Sequence, residues 1–404
     1  MAKKEKSKEK TYFENISDKV GEIAIHYGFT VIKPPHIFSS HFLKAKQFKD
    51  FDHYSDALEK VVLTEWYMNE RLDLETQPIA IHYKKPLPGN LVKKKSNVEM
   101  YGFEIMGSSR ATSEALLIKC VLAVLEELGH KDVYIDINSI GDKESIVRFE
   151  KELASHYRKN AHVLTAKMRQ EFKRNHYTFF RNVAEEAREF TQNIPEPIGS
   201  LSDIARIHFK EVLECLESFG IIYKIKPNLF SNKLYASYTA FEIRETQKKS
   251  AGVEIIEEGE LLAFGYRYNH LAKKLGGKRE IPSIGVTVIV KKNKIPKKKI
   301  LIKNIKKPKF YLAQLGGTAK LKALNVVELL RKNKIPVYHS ITKDKIAGQL
   351  NGAEYMKASH VLIMGQKEAV ENSMVVRDLK TREQETVALH DLPEFLKKIK
   401  KNKK

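Results

Sequence analysis

A lysine-dense segment near the start of the last quarter of the chain separates two stretches of different pattern. It runs from Lys291 to Lys309, and its charge density and prolines are typical of a linker. Because 404 residues exceed the usual size of one domain, we place a boundary there. The predicted divisions are a basic tail at 1–10, a core at 11–290, a linker at 291–308, a second domain at 309–396 and a basic tail at 397–404.

The core is predicted to combine helices with an antiparallel sheet. An amphipathic helix from Thr11 to near Gly28 is followed by an apolar strand, FTVI. The helix SEALLIKCVLAVLEELGH and the strand DVYIDINSIGD come later, and residues from about 142 to 200 read as a helical insertion. Beyond Gly220, extended segments alternate with turns: IIYKI, LYASYTAFEI, VEIIEE, ELLAFGYRY and IGVTVIV.

The second domain alternates between strand and helix patterns. The predicted strands are FYLAQL, PVYHSI, HVLIMG, MVVRDL and ETVAL. Helices are predicted through LKALNVVELLRK, through DKIAGQLNGAEYMK and at the C-terminal end. This order predicts a small, mostly parallel sheet flanked by helices.

The balance of charge indicates a polyanionic partner. The chain has 72 Lys plus Arg against 50 Asp plus Glu, a formal charge of +22. Nucleic acid is the expected partner, and a generally basic, solubilising surface is the alternative. Because lysine is a strongly hydrated point charge, it suits backbone phosphates better than base edges. We therefore expect a salt-sensitive contact with little sequence selectivity.

The cysteines and the apolar runs argue against several other classes. Cys120 and Cys215 lie in helical patterns and are predicted to be buried free thiols. No Cys and His spacing matches a zinc site. No apolar run reaches the roughly 18 residues of a membrane span. We expect a cytoplasmic protein with no structural metal and no membrane partner.

The order of these segments, from about Phe13 to Ile399, resembles histidyl-tRNA synthetase. YGFEIMG and the helix and strand after it are similar to consecutive family segments, and Ile363–Val387 is similar to the anticodon-binding domain. GFTVIKPP resembles the motif 1 strand that leads to the family's dimer interface. The resemblance implies an α+β class II aminoacyl-tRNA synthetase-like antiparallel sheet with helices, then a small α/β anticodon-binding domain, in a homodimer.

The chain departs from the family where charge is needed for amino-acid activation. The motif 2 element Phe-Arg-x-Glu is placed on Tyr83-Lys84-Lys85-Pro86, so that Lys84 replaces the arginine of the α-phosphate. The motif 3 run Gly-Leu-Glu-Arg falls on residues 289–292, so that Lys292 replaces the γ-phosphate arginine. The catalytic arginine of the first histidine motif falls on Ser231. Lysine keeps the charge but has no planar bidentate fork, so we expect little activity.

The substrate pocket of the family is implied at six positions. Arg267 and Tyr268 keep the residues of the second histidine motif, whereas Asn269 replaces an aspartate. Glu104 matches a family glutamate of the histidine pocket, and a locally paired strand residue is the alternative for it. The expected pocket residues are Glu75, Glu104, Tyr235, Arg267, Tyr268 and Asn269.

Three functions are compatible with these patterns. The first is a non-charging histidyl-tRNA synthetase-like protein that binds tRNA or another structured RNA and requires no cofactor. The second is a divergent, active histidine-tRNA ligase that uses ATP with magnesium. The third is a regulatory or accessory subunit that binds a protein partner. The expected RNA-binding residues are Lys291, Lys292, Lys294, Lys297, Lys298, Lys299, Lys306 and Lys307.

Overall fold

Two sheets with helices packed against them organise the chain in a computed structural model. The structure describes residues 16–48, 56–85, 97–174, 179, 188–191, 193–232, 234–246, 259–296, 300–301, 308–340 and 345–402. The strands of these residues are β1 (Ile16–Ser17), β2 (Thr30–Val31), β3 (Ile79–Lys84), β4 (Val98–Met106), β5 (Val133–Gly141), β6 (Tyr223–Ile225), β7 (Ser237–Glu245), β8 (Leu261–Arg267), β9 (Ser283–Lys291), β10 (Ile300–Leu301), β11 (Phe310–Gln314), β12 (Val337–His339), β13 (His360–Met364), β14 (Ser373–Asp378) and β15 (Gln384–Ala388).

Along the chain, most helices alternate with strands. Within the described ranges the α-helices are Lys19–His26, Ser39–Lys46, Ala57–Asn69, Thr112–Glu127, Lys143–Asn160, Ala166–Arg174, Arg188–Thr191, Asp203–Ser218, Leu271–Lys274, Gly317–Lys332, Ile346–Tyr355, Gln366–Glu371 and Leu392–Asn402. The structure thus places helices in the insertion predicted at about residues 142–200, of which 175–178, 180–187 and 192 lie outside the described ranges.

The large sheet has eight strands in the order β2-β3-β4-β9-β8-β7-β5-β6. Its pairs are antiparallel except β2 with β3 and β5 with β6, which are parallel. The antiparallel sheet predicted for the core is therefore present, with a parallel strand at each edge. The predicted strand VEIIEE, residues 253–258, lies outside the described ranges.

Side-chain alternation gives the large sheet two different faces. Phe103 of β4 lies opposite Val286 of β9, and both pack in the main hydrophobic core with the helix Thr112–Glu127. Glu104 and Gly285, the next pair in this register, face the opposite way. The helix Ala57–Asn69 covers that second face, because its Lys60 bonds to Glu104. The candidate site lies between this helix and the sheet.

The first helix begins later than its apolar pattern suggested. Residues 11–15 lie outside the described ranges, and Ile16–Ser17 pair with β10 instead of joining the helix. The Asp18 side chain accepts a hydrogen bond from the Gly21 amide at 3.1 Å, which satisfies a free donor and caps the helix there. The sequence pattern predicted a helix that already includes Ile16, and this was wrong, because the helix begins at Lys19. It ends at His26, close to the predicted end at Gly28.

The small sheet has the order β12-β11-β13-β14-β15. β11 is parallel to β12 and β13, whereas β13–β14 and β14–β15 are antiparallel. The prediction of a mostly parallel sheet was therefore wrong for half of its pairs. A parallel crossover needs about a dozen residues or more. The connections that follow Met364 and Asp378 are shorter, so the chain must reverse direction there.

A single hydrophobic cluster extends under both sheets. It contains Leu117 and Val121 from the large part of the chain and Leu312, Val327 and Met364 from the small part. Polar contacts reinforce this junction. The Tyr27 hydroxyl donates to Glu328 at 2.6 Å, and the Lys332 ammonium lies 3.0 Å from Glu126.

Two sequence predictions concern the cysteines and the apolar segments. Cys120 and Cys215 are buried and unpaired with each other, which confirms the sequence prediction for both thiols. Over the described ranges, the chain forms no helix with the length and apolar character needed to cross a bilayer.

Candidate functional site

Charged and phenolic side chains, most of them buried, lie together between the helix Ala57–Asn69 and the large sheet. We call this group the charge cluster. It comprises the carboxylates Asp56, Glu59 and Glu104, the lysines Lys60 and Lys85, and the tyrosines Tyr83, Tyr235, Tyr266 and Tyr268.

The centre of the charge cluster is an ion pair between Lys60 and Glu104. The Lys60 Nζ lies 2.5 Å from Glu104 Oε1, and the two residues are 1% and 0% exposed. The Tyr268 hydroxyl donates to Glu104 Oε2 at 2.8 Å. The same ammonium lies 5.1 Å from the ring centre of Tyr268 and 5.6 Å from that of Tyr266, within the range of cation–π attraction. The Lys60 ammonium therefore lies against a carboxylate and two aromatic rings.

A second ion pair lies beside the first. The Lys85 Nζ is 2.7 Å from Glu59 Oε1 and also donates to the Thr287 hydroxyl. The Tyr83 hydroxyl lies between the pairs, at 2.6 Å from Glu59 and 3.1 Å from Glu104. Each pair therefore stabilises the position of the other through Tyr83.

Asp56 completes the charge cluster at the start of the covering helix. Tyr266 donates its hydroxyl to Asp56 Oδ1, and the Tyr235 hydroxyl lies 3.0 Å from that of Tyr266. Burial raises the pKa of Tyr83, Tyr266 and Tyr268, and nearby carboxylates raise it further, so all three phenols remain donors.

The charges of the cluster are unequal, because three carboxylates share two ammonium groups. Burial lowers the pKa of Lys60, but Glu104, Asp56 and Glu59 outweigh it and the pKa is raised. Burial likewise opposes ionisation of Glu59, yet Lys85 and Lys60 hold its pKa below the usual value. For Asp56 and Glu104 burial prevails over Lys60 and raises the pKa. Burial therefore opposes ionisation of Asp56 and Glu104 more strongly than Lys60 favours it.

Glycine in β9 provides the space for the central ion pair. A Cβ placed on Gly285 would lie 1.9 Å from Glu104 Oε2 and 2.5 Å from Lys60 Nζ. No side chain fits there while the pair is present. Gly102 of β4 has the same relation to Tyr83, whose ring would lie 2.3 Å from an added Cβ. Gly285 and Gly102 therefore leave the space that Glu104, Lys60 and Tyr83 occupy.

The structure brings three of the expected pocket residues together in the charge cluster, namely Glu104, Tyr235 and Tyr268. Arg267 is not among them, because strand alternation directs it to the opposite face of the sheet. There it bonds to Glu114 at 2.8 and 2.5 Å and to the Ser108 carbonyl at 2.7 Å. Arg267 therefore anchors the sheet to the helix Thr112–Glu127 and does not line the pocket.

Two further pocket residues have other roles. Asn269 is buried and accepts a hydrogen bond from the Ser283 amide at 3.1 Å, which fixes the chain between β8 and β9. Glu75 is exposed on the loop before β3, where its carbonyl accepts from the Gln77 side chain at 3.2 Å. Neither belongs to the charge cluster.

The resemblance places altered catalytic residues at Lys84, Ser231 and Lys292. Lys84 sits opposite Tyr101 in the register of β3, so it faces away from Glu104; its ammonium is 2.6 Å from Glu99. The side chains of this strand end that do reach the charge cluster are Tyr83 and Lys85. Lys84 therefore does not reach the charge cluster, because each step along a strand reverses the face. Ser231 is buried in the loop before β7.

The lysines expected to bind RNA are only partly described. Lys291 ends β9 and pairs with Glu260 at 2.7 Å, Lys292 follows in an exposed turn, and Lys294 lies 3.2 Å from the His130 ring. The expected positions Lys297, Lys298, Lys299, Lys306 and Lys307 lie outside the described ranges. The three described lysines lie at the end of β9 or directly after it.

Sequence reasoning missed the covering helix and with it Lys60, Glu59 and Asp56. The only available signal was the mixture of acidic, basic and apolar residues in DALEKVVLTEWYMN, which suits a partly exposed helix equally well. Over the described residues, no three His, Cys, Asp or Glu side chains are arranged to hold a metal ion.

A separate cavity of about 710 Å³ lies where β4 ends and β9 begins. Its walls include Tyr67, Gln77, Gly107 and Gly277, and Asp73 with Arg279, whose side chains are 2.8 Å apart. None of the charge cluster residues lines this cavity.

Comparison with known proteins identifies the family of this chain. Residues 288–399 match the model of the anticodon binding domain. The histidine–tRNA ligase of Halothermothrix orenii is 30% identical over 322 residues, which cover 78% of this chain and 73% of that protein. This chain belongs to the histidyl-tRNA synthetase family. Another family member, the histidine–tRNA ligase of Bacillus subtilis, is 26% identical over 332 residues, covering 80% of this chain and 73% of that protein.

The solved structures show the same histidyl-tRNA synthetase fold. The crystal structure of the apo Staphylococcus aureus histidyl-tRNA synthetase superimposes with a TM-score of 0.51 at 20% identity, over 93% of each chain. The class II core and the anticodon-binding domain expected from the resemblance are therefore both present in this family member.

Proposed function

We propose that this chain is a histidyl-tRNA synthetase family member that does not charge tRNA and instead binds tRNA or another structured RNA. The observation that carries the proposal is the Lys60–Glu104 ion pair, sealed by Tyr83, Tyr266 and Tyr268. The family resemblance assigns Glu104 to the amino-acid pocket, and a side chain of the protein itself binds it here.

The free energy that holds this ion pair is similar in size to the binding free energy of a weakly bound amino acid. Separating a buried pair leaves an unpaired charge and costs about 3–5 kcal/mol. A ligand that binds with a millimolar Kd gains only about 4 kcal/mol. An amino acid that displaced Lys60 would therefore lose most or all of its binding free energy.

The positions where the resemblance places the phosphate contacts support the same proposal. The inward-facing side chains at the end of β3 are Tyr83 and Lys85, and Lys85 is already paired with Glu59. Lys292 stands where the resemblance expects an arginine. Loss of one aimed donor to a developing charge reduces a rate by about 100- to 1,000-fold. Several such losses leave little activation of ATP.

RNA binding is supported by domain content and charge. The anticodon-binding match begins at residue 288, next to the described lysines Lys291, Lys292 and Lys294. The whole chain has a formal charge of +22. Contacts of lysine with backbone phosphates give affinity that falls steeply with salt. tRNA is the first candidate, because the relatives are named as ligases of tRNA.

The test has two parts. Histidine-dependent pyrophosphate exchange with ATP and magnesium should not exceed the blank, while the Bacillus subtilis relative serves as the positive control. Filter binding of the full chain to total tRNA should give saturable retention that weakens between 50 and about 200 mM salt. Exchange at a rate comparable with the control would instead establish a divergent ligase. Retention that RNase does not affect, with a stoichiometric protein partner, would establish an accessory subunit.

A homodimer is part of the proposal. β2 is an outer strand of the large sheet, and the helix Ser39–Lys46 follows it. Phe38, which precedes this helix, and Phe42 and Leu43 within it are exposed by 57%, 48% and 65%. Adjacent exposed apolar side chains of this size favour a protein interface. Light scattering should give twice the chain mass, and Phe42→Glu should reduce it to one. Ile204→Glu, a change at an isoleucine that is 70% exposed elsewhere, is the matched control. A monomeric wild-type protein would refute the dimer.

A further inference from the structure

We infer that the charge cluster is a binding site for a primary alkylammonium group, and that the chain fills it with an internal ligand, the side chain of Lys60. The inference deepens the proposed function and rests on it, since both require that Lys60 remain bound to Glu104 in the native protein.

The surroundings of the Lys60 ammonium are those of a cation receptor. Glu104 lies at 2.5 Å and Glu59 at 3.9 Å, while the rings of Tyr268 and Tyr266 face it at 5.1 and 5.6 Å. A carboxylate combined with aromatic faces is the arrangement that recognises organic ammonium ions.

The walls of this receptor do not depend on Lys60. Tyr83 is bound to Glu59 at 2.6 Å, Tyr268 to Glu104 at 2.8 Å, and Tyr266 to Asp56. Lys85 holds Glu59 from the other side at 2.7 Å. Removing the Lys60 side chain therefore leaves the donors and rings held by other residues, and the space should persist.

The volume left by Lys60 has a defined shape. Truncation to alanine removes Cγ, Cδ, Cε and Nζ, which together correspond to n-propylammonium. Gly285 has no side chain to close the gap, since its added Cβ would lie 2.5 Å from the ammonium position. A vacated site with carboxylates also admits water, so a ligand must compete with it. A ligand of four heavy atoms should bind with a Kd on the order of a millimolar.

The experiment uses the full chain with Lys60→Ala. Loss of the ammonium should lower the Tm, because Glu104 would remain buried without the lysine that pairs with it. Adding n-propylammonium chloride should restore at least half of the lost Tm with saturation, whereas n-propanol and sodium chloride at equal concentration should not. Wild-type protein and Lys60→Met, in which the space stays filled, should show no such recovery.

Every outcome decides the inference. If Lys60→Ala folds and its Tm does not respond to n-propylammonium, or if Lys60→Met responds equally, the receptor does not exist. If Lys60→Ala does not fold alone, it is refolded with and without n-propylammonium, and recovery only with the amine supports the inference, while none in either sample overturns it. Pyrophosphate exchange by the wild-type chain would refute the proposed function but leave this Tm result to be judged separately.

Discussion

Arg267 binds Glu114 behind the large sheet through two hydrogen bonds, with Nε 2.8 Å from Oε1 and the second nitrogen 2.5 Å from Oε2. Both residues are fully buried, and the His208 ring lies 2.8 Å from the same carboxylate. This pairing joins β8 to the helix Thr112–Glu127. It connects the strand that carries Tyr266 and Tyr268 to the main hydrophobic core.

Glu114→Gln should strongly destabilise the protein. The change leaves the Arg267 guanidinium buried without its counter-charge, and the free energy of unfolding should fall by about 3–5 kcal/mol. Urea unfolding at neutral pH measures the loss. Glu126→Gln is the control, because Glu126 pairs with Lys332 at an exposed position and such pairs contribute less than about 1 kcal/mol. Similar losses in both variants would contradict the assigned role of Arg267.

The same pair predicts a dependence of stability on pH. Burial opposes ionisation of Glu114, but Arg267 and His208 prevail and lower its pKa from 4.5 to about 2. Since the folded pKa lies below the unfolded one, the stabilisation is complete above about pH 4.5 and is lost as the pH falls toward about 2. The difference in unfolding free energy between wild type and Glu114→Gln should therefore shrink across that window. A difference that stays constant from pH 6 to pH 3 would rule this out.

Gly28→Ala should destabilise the contact between the first helix and the small sheet. Gly28 has a φ of +83°, and an added Cβ would lie 3.2 Å from Cε1 of His339. Gly129→Ala is the matched control, with a φ of +93° and no atom within 4 Å of its Cβ. Left-handed backbone costs each variant about 1–2 kcal/mol. Thermal unfolding should show a larger loss for Gly28→Ala, and equal losses would show that the His339 contact is unimportant.

Lysines after β9 should carry part of the salt dependence of RNA binding. Replacing Lys292 and Lys294 by alanine removes two candidate phosphate contacts, so the slope of log affinity against log salt should become shallower by about 1.5. The control replaces Lys210 and Lys224, which are exposed on the large part of the chain, and carries the same change in charge. If both double variants shift the slope equally, the RNA contact is not localised at β9.

Local patterns predicted much of the secondary structure. The helix Thr112–Glu127 and strand β5 follow from apolar spacing within their own segments, and β11 to β15 were each recognised in order. Strand direction in the small sheet was less predictable, since it depends on the length of the connections. Pattern alone gives the elements but not all of their pairings.

The charge cluster was largely beyond prediction, for two physical reasons. Lys60 reads as a solvent-facing helical lysine until its partner Glu104, 44 residues later, is known to lie beneath it. The choice between Lys84 and Lys85 depends on which of the two shares a face with Gly102 in the register of β3 and β4. Sequence alignment to a family motif contains no information on strand register. A shift of one residue exchanges the buried Lys85 for the exposed Lys84.

Because one hydrophobic cluster runs from the large sheet to the small one, each part has an apolar surface at their junction that the other part covers. Apolar side chains of the helices Thr112–Glu127 and Gly317–Lys332 lie in that one cluster and would face water if the chain were cut between them. Denaturant should therefore melt both parts in one cooperative transition. A truncated piece that stops before β11 would be prone to aggregate rather than persist as a separable module.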